Sequence, residues 1–311
     1  MPSLRSRLFA FVLRHRHLLR FQLQERAWDF NTSIPDFRRQ CEEFHRVFGK
    51  LFGKRIDGIK ISPAAVAGLP AEWLIPDGAA KDKVILYAIG GAYVSGSCQD
   101  HRRIVSKIAK GSGVSVLLVE HRLAPEHPFP AALDDMVTAY RWLLAEGILP
   151  SNIMIVGESA GGGLCLATLL ALRDQGIPLP EAAVALSPWT DLNQTGESHR
   201  TNADVCLSPK RMAHVCSKYY AGDNDPCLPW ISPLYGDLYG LPPILIQVGG
   251  DETLLDDSTR FAAKAKAAGV NVTLNVGEGM WHCFALMPSF IPECRQAMDE
   301  ICSFIKTYVI K

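Results

Sequence analysis

The sequence predicts an α/β protein with a mostly parallel sheet flanked by helices. Two observations carry that prediction. Six short runs of Val, Ile, Leu and Ala recur between residues 84 and 276, nearly unbroken by polar residues, as strands covered on both faces require. Between consecutive runs lie stretches of helical length closed by glycine, and strand alternating with helix is the signature of a parallel sheet with helices on both sides.

The runs are Val84–Tyr87, Val114–Val119, Ile153–Val156, Ala182–Leu186, Ile244–Val248 and Val272–Val276. Asp100 is expected to cap a helix that closes at Gly111. Pro130 stands where a first-turn proline belongs, ahead of a helix over 131–145 that stops at Gly147. Further helices are expected over 163–174, ending at Gly176, over 258–268, ending at Gly269, and over 293–308. Two segments break the rhythm. Residues 1–50 are helical in pattern and rich in aromatics and arginine, with no strand signal before Gly58. Residues 191–240 are rich in Pro, Gly, Asn, Asp and Tyr, with one helical piece over 209–220. Both are expected to form a cap, and 51–190 with 241–311 to form the catalytic core.

Composition excludes several functions. The 311 residues carry 32 Lys+Arg and 32 Asp+Glu, are 48% hydrophobic and 21% charged, which is a globular balance and not a disordered one. Nucleic acid is not expected as a partner, because phosphate binding needs an excess of basic residues. The nine cysteines show no Cys-x-x-Cys spacing, so they read as small apolar fillers in a reducing compartment, and the cytoplasm is the expected location. The first twenty residues hold Arg5, Arg7, Arg14, Arg16 and Arg20 and no acid. This segment is either a basic helix touching a membrane surface or a helix packing on its own protein. Leu18, Leu19, Phe21 and Leu23 continue the apolar pattern and favour the second reading, so membrane contact is not expected.

Chemistry enters at Gly157-Glu158-Ser159-Ala160-Gly161. This Gly-x-Ser-x-Gly directly follows a strand and precedes a helix, the context in which a tight turn forces the serine hydroxyl outward. The helix beginning there aims unpaired N–H groups at any developing anion. A serine nucleophile needs a base, and the base an orienting acid, each on a loop after a later strand. Asp251 follows the run ending at Val248 and is the acid candidate, with Glu252, Asp256 and Asp257 as rivals. His282 follows the run ending at Val276, is the only histidine beyond residue 214, and is the base candidate. The other histidines are expected in surface or hydrogen-bonded roles. After the first run, Gly90-Gly91-Ala92 offers backbone N–H groups for an oxyanion hole together with Ala160.

These motifs resemble the bacterial branch of the hormone-sensitive-lipase family of α/β-hydrolases. The resemblance is carried by Gly157-Glu158-Ser159-Ala160-Gly161-Gly162, by His121 to Ala132 (HRLAPEHPFPAA), by Ser187-Pro188-Trp189-Thr190-Asp191-Leu192 and by Leu241-Pro242-Pro243. It implies the α/β-hydrolase fold with an eight-stranded core and a helical cap, hydrolysis of short- to medium-chain carboxylic esters, and a triad at Ser159, Asp251 and His282. No metal or organic cofactor is required. Family members usually carry a histidine where this sequence has Ile89, so a non-catalytic receptor on the same fold is the alternative, with a lactone hydrolase as another. A small ester is the expected partner, and homodimerisation stays open.

Overall fold

The computed structural model describes residues 2–14, 28–52, 57–203 and 211–309. Arg16, Arg20, Leu18, Leu19, Phe21, Leu23 and Pro209, used above, lie outside them. The chain opens with helices α1 (Leu4–Arg14) and α2 (Ile34–Phe52), then strands β1 (Ile59–Val66), β2 (Leu69–Pro76) and β3 (Val84–Ala88). Alternation follows with α3 (Cys98–Ser112), β4 (Ser115–Val119), α4 (Ala131–Ala145), β5 (Ile153–Glu158), α5 (Ala160–Asp174) and β6 (Ala182–Leu186). The short α6 (Ser198–Thr201) and α7 (Met212–Ala221) interrupt it. It resumes with β7 (Ile244–Gly249), α8 (Leu255–Ala267), β8 (Val272–Gly277) and α9 (Pro292–Val309).

The eight strands form one sheet in the order β1-β2-β4-β3-β5-β6-β7-β8. β2 pairs antiparallel with β1 and with β4, and every pairing from β4 to β8 is parallel. The six apolar runs are the six parallel strands. β1 and β2 escaped the pattern because Lys60, Ser62, Pro63, Pro70 and Glu72 interrupt them. An antiparallel pair with one open face needs only alternate apolar residues, and β1 is correspondingly half exposed.

Period two divides the core. Val84, Leu86 and Ala88 of β3 face one cluster with Leu133, Leu164 and Phe261. Ile85, Tyr87 and Ile89 face the other, with Ile108, Ile301 and Ile305 from α3 and α9. Helix ends differ in detail from the expectation. The side chain of Ser97, not Asp100, caps α3 by accepting the Asp100 N–H, and left-handed Gly113, not Gly111, ends it. α5 begins at Ala160, directly after Ser159, and α8 begins three residues earlier than expected, at Leu255.

The segments outside the alternation are tied together and to the core. Tyr219 Oη in α7 donates to the Phe30 carbonyl at 3.1 Å. Arg38 in α2 donates to the carbonyls of Val94 (2.6 Å) and Ala124 (3.0 Å) and forms a forked pair with Glu126. α1 lies on α9, where Ser3 and Ser6 hydroxyls donate to the Glu293 carboxylate, and the Phe9 ring lies 5.0 Å from Trp281. No helix among the described residues is long and apolar enough to cross a membrane.

Burial works to raise the Glu293 carboxyl's pKa, but hydrogen bonds from Ser6 and Ser3 outweigh it and pull the value down to about 2. A carboxyl with a depressed folded pKa stabilises fully above its unfolded value, so this docking weakens as pH falls from 4.5 towards about 2. Glu293→Gln should loosen α1 at neutral pH as well. Limited trypsin digestion is expected to cut at Arg5 and Arg7 several-fold faster in that variant than in the unaltered chain.

Candidate active site

β5 runs straight into the turn that carries Ser159. Its backbone sits at φ 57° and ψ −124°, a region a non-glycine residue occupies only when its surroundings enforce it. The Ser159 N–H donates to the Leu186 carbonyl at 2.8 Å, and its own carbonyl accepts from Trp189 at 3.0 Å. The flanking glycines are a steric necessity. A Cβ on Gly157 would stand 2.2 Å from the Gly161 carbonyl oxygen, and one on Gly161 would stand 2.2 Å from that of Ala88.

The loops after β7 and β8 are zipped together. Gly250 N–H donates to the Gly277 carbonyl at 2.7 Å, and Asp251 N–H to that of Met280 at 2.9 Å. Within this joint the Nδ1 of His282 lies 2.6 Å from Glu252 Oε2, and Glu252 Oε1 accepts the Gly249 N–H at 3.1 Å. Glu252 is fully buried. A carboxylate thus meets the imidazole at Glu252, one of the rivals to Asp251 in the sequence reading. Asp251, next to it in the turn, is half-buried. Burial favours the neutral imidazole, but Cys283 and Glu252 outweigh it and hold the His282 pKa well above the usual histidine value. Nε2 has the Cys283 thiol as a neighbour at 3.5 Å. The Cys283 N–H donates to Ser187 Oγ at 3.0 Å, which ties this loop to the end of β6.

A second histidine–carboxylate pair has a different geometry. His199 in α6 meets Asp257 through Nε2 at 2.8 Å, while the other Asp257 oxygen accepts the N–H groups of Thr190 (3.0 Å) and Asp191 (2.9 Å). This clasp fastens the 191–202 segment to α8. Beside it, Ser198 Oγ donates to the Thr253 carbonyl at 2.6 Å and Asn202 Nδ2 to that of Glu252 at 3.0 Å. The inserted segment thus grips the backbone of the Glu252 loop.

The glycine loop after β3 shows why Ile89 is tolerated. Gly90 N–H donates to Glu158 Oε1 at 2.7 Å, and His101 Nε2 lies 2.9 Å from the same oxygen. Burial favours neutral His101, but the charge and hydrogen bond of Glu158 raise its pKa above the usual value. His121 Nε2 lies 3.2 Å from the Ile89 carbonyl oxygen. Ile89 itself is 2% exposed and belongs to the apolar cluster of Met280 and Trp281. Glu158, His101 and His121 thus brace the loop without an imidazole at position 89. This brace takes up the Gly90 N–H, one of the four groups expected to hold an oxyanion. Glu158 stood in plain view inside the serine motif. Its role was invisible because the contact spans 68 residues.

Known proteins share this fold. A family model for the alpha/beta hydrolase fold matches residues 85–286. An acetyl-hydrolase of Streptomyces hygroscopicus is 43% identical over 281 residues, covering 89% of this chain and 91% of that protein. An esterase of Acinetobacter venetianus is 39% identical over 248 residues, covering 79% of this chain and 82% of its own. Among solved structures, an esterase from the bacterial hormone-sensitive lipase family superposes with a TM-score of 0.88 at 42% identity, covering 99% of each chain. EstE5, soaked with p-nitrophenyl butyrate, superposes with a TM-score of 0.87 at 38% identity over 99% of this chain and 100% of its own. The chain belongs to the α/β-hydrolase fold family, among the relatives of the bacterial hormone-sensitive lipases. Its activity is that of a carboxylic-ester hydrolase.

If the Glu158 brace positions the oxyanion loop, Glu158→Ala should lower kcat by about 10²-fold, the scale of a lost oxyanion donor, with KM little changed. Glu158→Gln, whose amide oxygen still accepts from Gly90, should recover most of that loss in steady-state assays of p-nitrophenyl butyrate.

Proposed function

We propose that the chain hydrolyses short- to medium-chain carboxylic esters through an acyl-enzyme on Ser159, with His282 as base and Glu252 as its orienting acid. The observation that carries the reading is the 2.6 Å contact between His282 Nδ1 and buried Glu252. It sets the imidazole so that Nε2 is the nitrogen left for a proton from a hydroxyl. Ser159, Glu252 and His282 follow β5, β7 and β8, parallel strands of one sheet, so all three belong to the same sheet edge.

In this mechanism His282 takes the Ser159 proton as the oxygen attacks the ester carbonyl, and Glu252 stabilises the imidazolium that forms. N–H groups of Gly91, Ala92 and Ala160 hold the oxyanion, aided by the positive N-terminal end of α5. The imidazolium then protonates the leaving alcohol, and neutral His282 activates the water that releases the acid. Residues 1–50 and 191–240 form the cap, and 51–190 with 241–311 the core; the bond from Tyr219 to Phe30 supports a cap of two joined parts. Short acyl groups are supported by the acetyl-hydrolase relative and by the p-nitrophenyl butyrate used with EstE5.

Ser159→Ala should abolish turnover of p-nitrophenyl acetate, butyrate and octanoate, and a variant as fast as the unaltered chain would refute the nucleophile. Glu252→Gln is expected to cost about 10³–10⁴-fold in kcat, as loss of an orienting acid does elsewhere, whereas Asp251→Asn should stay within about tenfold. The reaction needs neutral imidazole, so kcat/KM falls as pH drops through the His282 pKa. That pKa is raised, which places the acid limb above the usual histidine range. Glu252→Gln removes one cause of the rise and should move the limb to lower pH in a pH–rate profile.

A further inference from the structure

We propose that Arg38 of α2 is a positioning residue for the hydrolysis, fixing the loop that carries the Gly91 and Ala92 N–H groups, a role that rests on the proposed oxyanion hole. Gly91, Ala92 and Tyr93 have φ of 123°, 56° and 64°. Three successive residues in this region, two of them with side chains, persist only where the surroundings enforce them. From within the turn, the Gly91 carbonyl accepts the N–H groups of Val94 at 3.1 Å and Ser95 at 3.0 Å, and the Ser95 hydroxyl at 3.0 Å. Bonds this local fix the shape of the turn, not where it sits.

Placement comes from outside, at both ends. Before the turn, Glu158 holds the Gly90 N–H at 2.7 Å. After it, Arg38 Nε donates to the carbonyl of buried Val94 at 2.6 Å. The same guanidinium donates from Nη2 to the Ala124 carbonyl at 3.0 Å, and the Ala124 N–H donates to the Tyr93 carbonyl at 2.9 Å. One planar side chain thus meets the carbonyl at 94 directly and the one at 93 through a single intervening residue, a task suited to the rigid fork of an arginine. Arg38 is itself held. Its neighbour Phe37 packs edge-on against buried Trp28, with ring centroids 4.6 Å apart, and Glu126 takes Nη1 and Nη2 at 2.9 and 2.7 Å. The Glu126 side chain is half exposed, so this ion pair contributes little by itself. Gly91 and Ala92 stand between the two anchors. Without the Arg38 bonds the turn is free to relax from its strained form, and a shift of about 1 Å in a positioning group costs about 10²-fold in rate.

The test compares the unaltered chain with Arg38→Met, which keeps the apolar stem, and with Glu126→Ala, which removes the ion pair and leaves the carbonyl contacts. Thermal melting by circular dichroism shows which variants are folded, and Arg38→Gln, too short to span both carbonyls, replaces Arg38→Met if that variant is not. With p-nitrophenyl butyrate the Arg38 variant is expected to lose about 10²-fold in kcat with KM little changed, and Glu126→Ala to stay within about twofold. Butylboronic acid adds the readout that a merely structural role would not move. Its boron accepts the Ser159 oxygen as the proton passes to His282, giving a tetrahedral anion, so its inhibition constant should weaken by the same factor as kcat/KM. An Arg38 variant as fast as the unaltered chain, an equal loss in Glu126→Ala, or a fall in kcat with unchanged boronate inhibition overturns the role of Arg38. Ser159→Ala is run alongside. If it hydrolyses as fast as the unaltered chain, the proposed site falls and the role of Arg38 with it, whereas an inactive Ser159→Ala beside a fast Arg38 variant removes the role of Arg38 alone.

Discussion

The contact between Glu252 and His282 is the constraint around which the rest of the site is arranged. A fully buried carboxylate is costly unless both oxygens are engaged, and Glu252 meets that demand with the Gly249 N–H and the imidazole. Holding those partners in place requires the β7 and β8 loops to lie against each other. A side chain on Gly249 would stand 2.4 Å from the Met280 carbonyl oxygen, so this strand must end in glycine. The same joint fixes the imidazole through Nδ1 and leaves Nε2 beside the Cys283 thiol at 3.5 Å.

The glycine loop after β3 is held by a second buried carboxylate, which engages its partners through a single oxygen. Glu158 gathers the Gly90 N–H and the His101 imidazole on one oxygen, while His121 supports the Ile89 carbonyl from the other side. This chain braces the loop with polar groups from β5, α3 and the turn after β4, and fills position 89 with a packed isoleucine.

The peripheral segments do more than cover the core. The clasp of His199 and Asp257, with Ser198 and Asn202 beside it, grips the backbone that carries Glu252. Arg38 ties α2 to the chain just beyond the oxyanion loop and to the turn that contains Glu126. α1 reaches the His282 loop through Phe9 and Trp281. Each of these outer elements thus touches a loop that bears a candidate functional group.

Most of the architecture was legible in the sequence because a doubly covered parallel sheet demands unbroken apolar runs, and all six are there. The serine turn was legible because its geometry tolerates only glycine at positions 157 and 161. The antiparallel β1 and β2 were not, since a half-exposed hairpin needs no such run. Nor could a one-dimensional pattern choose between Asp251 and Glu252, adjacent carboxylates in one turn whose directions depend on the β7–β8 joint. Whether Gly90 was free to serve an anion was equally hidden, because its N–H is claimed by a residue 68 positions away. Local sequence determined which residue types stand at the strand ends. Tertiary packing decided which of them face one another, because burial and the pairing of polar groups are settled only when distant segments meet.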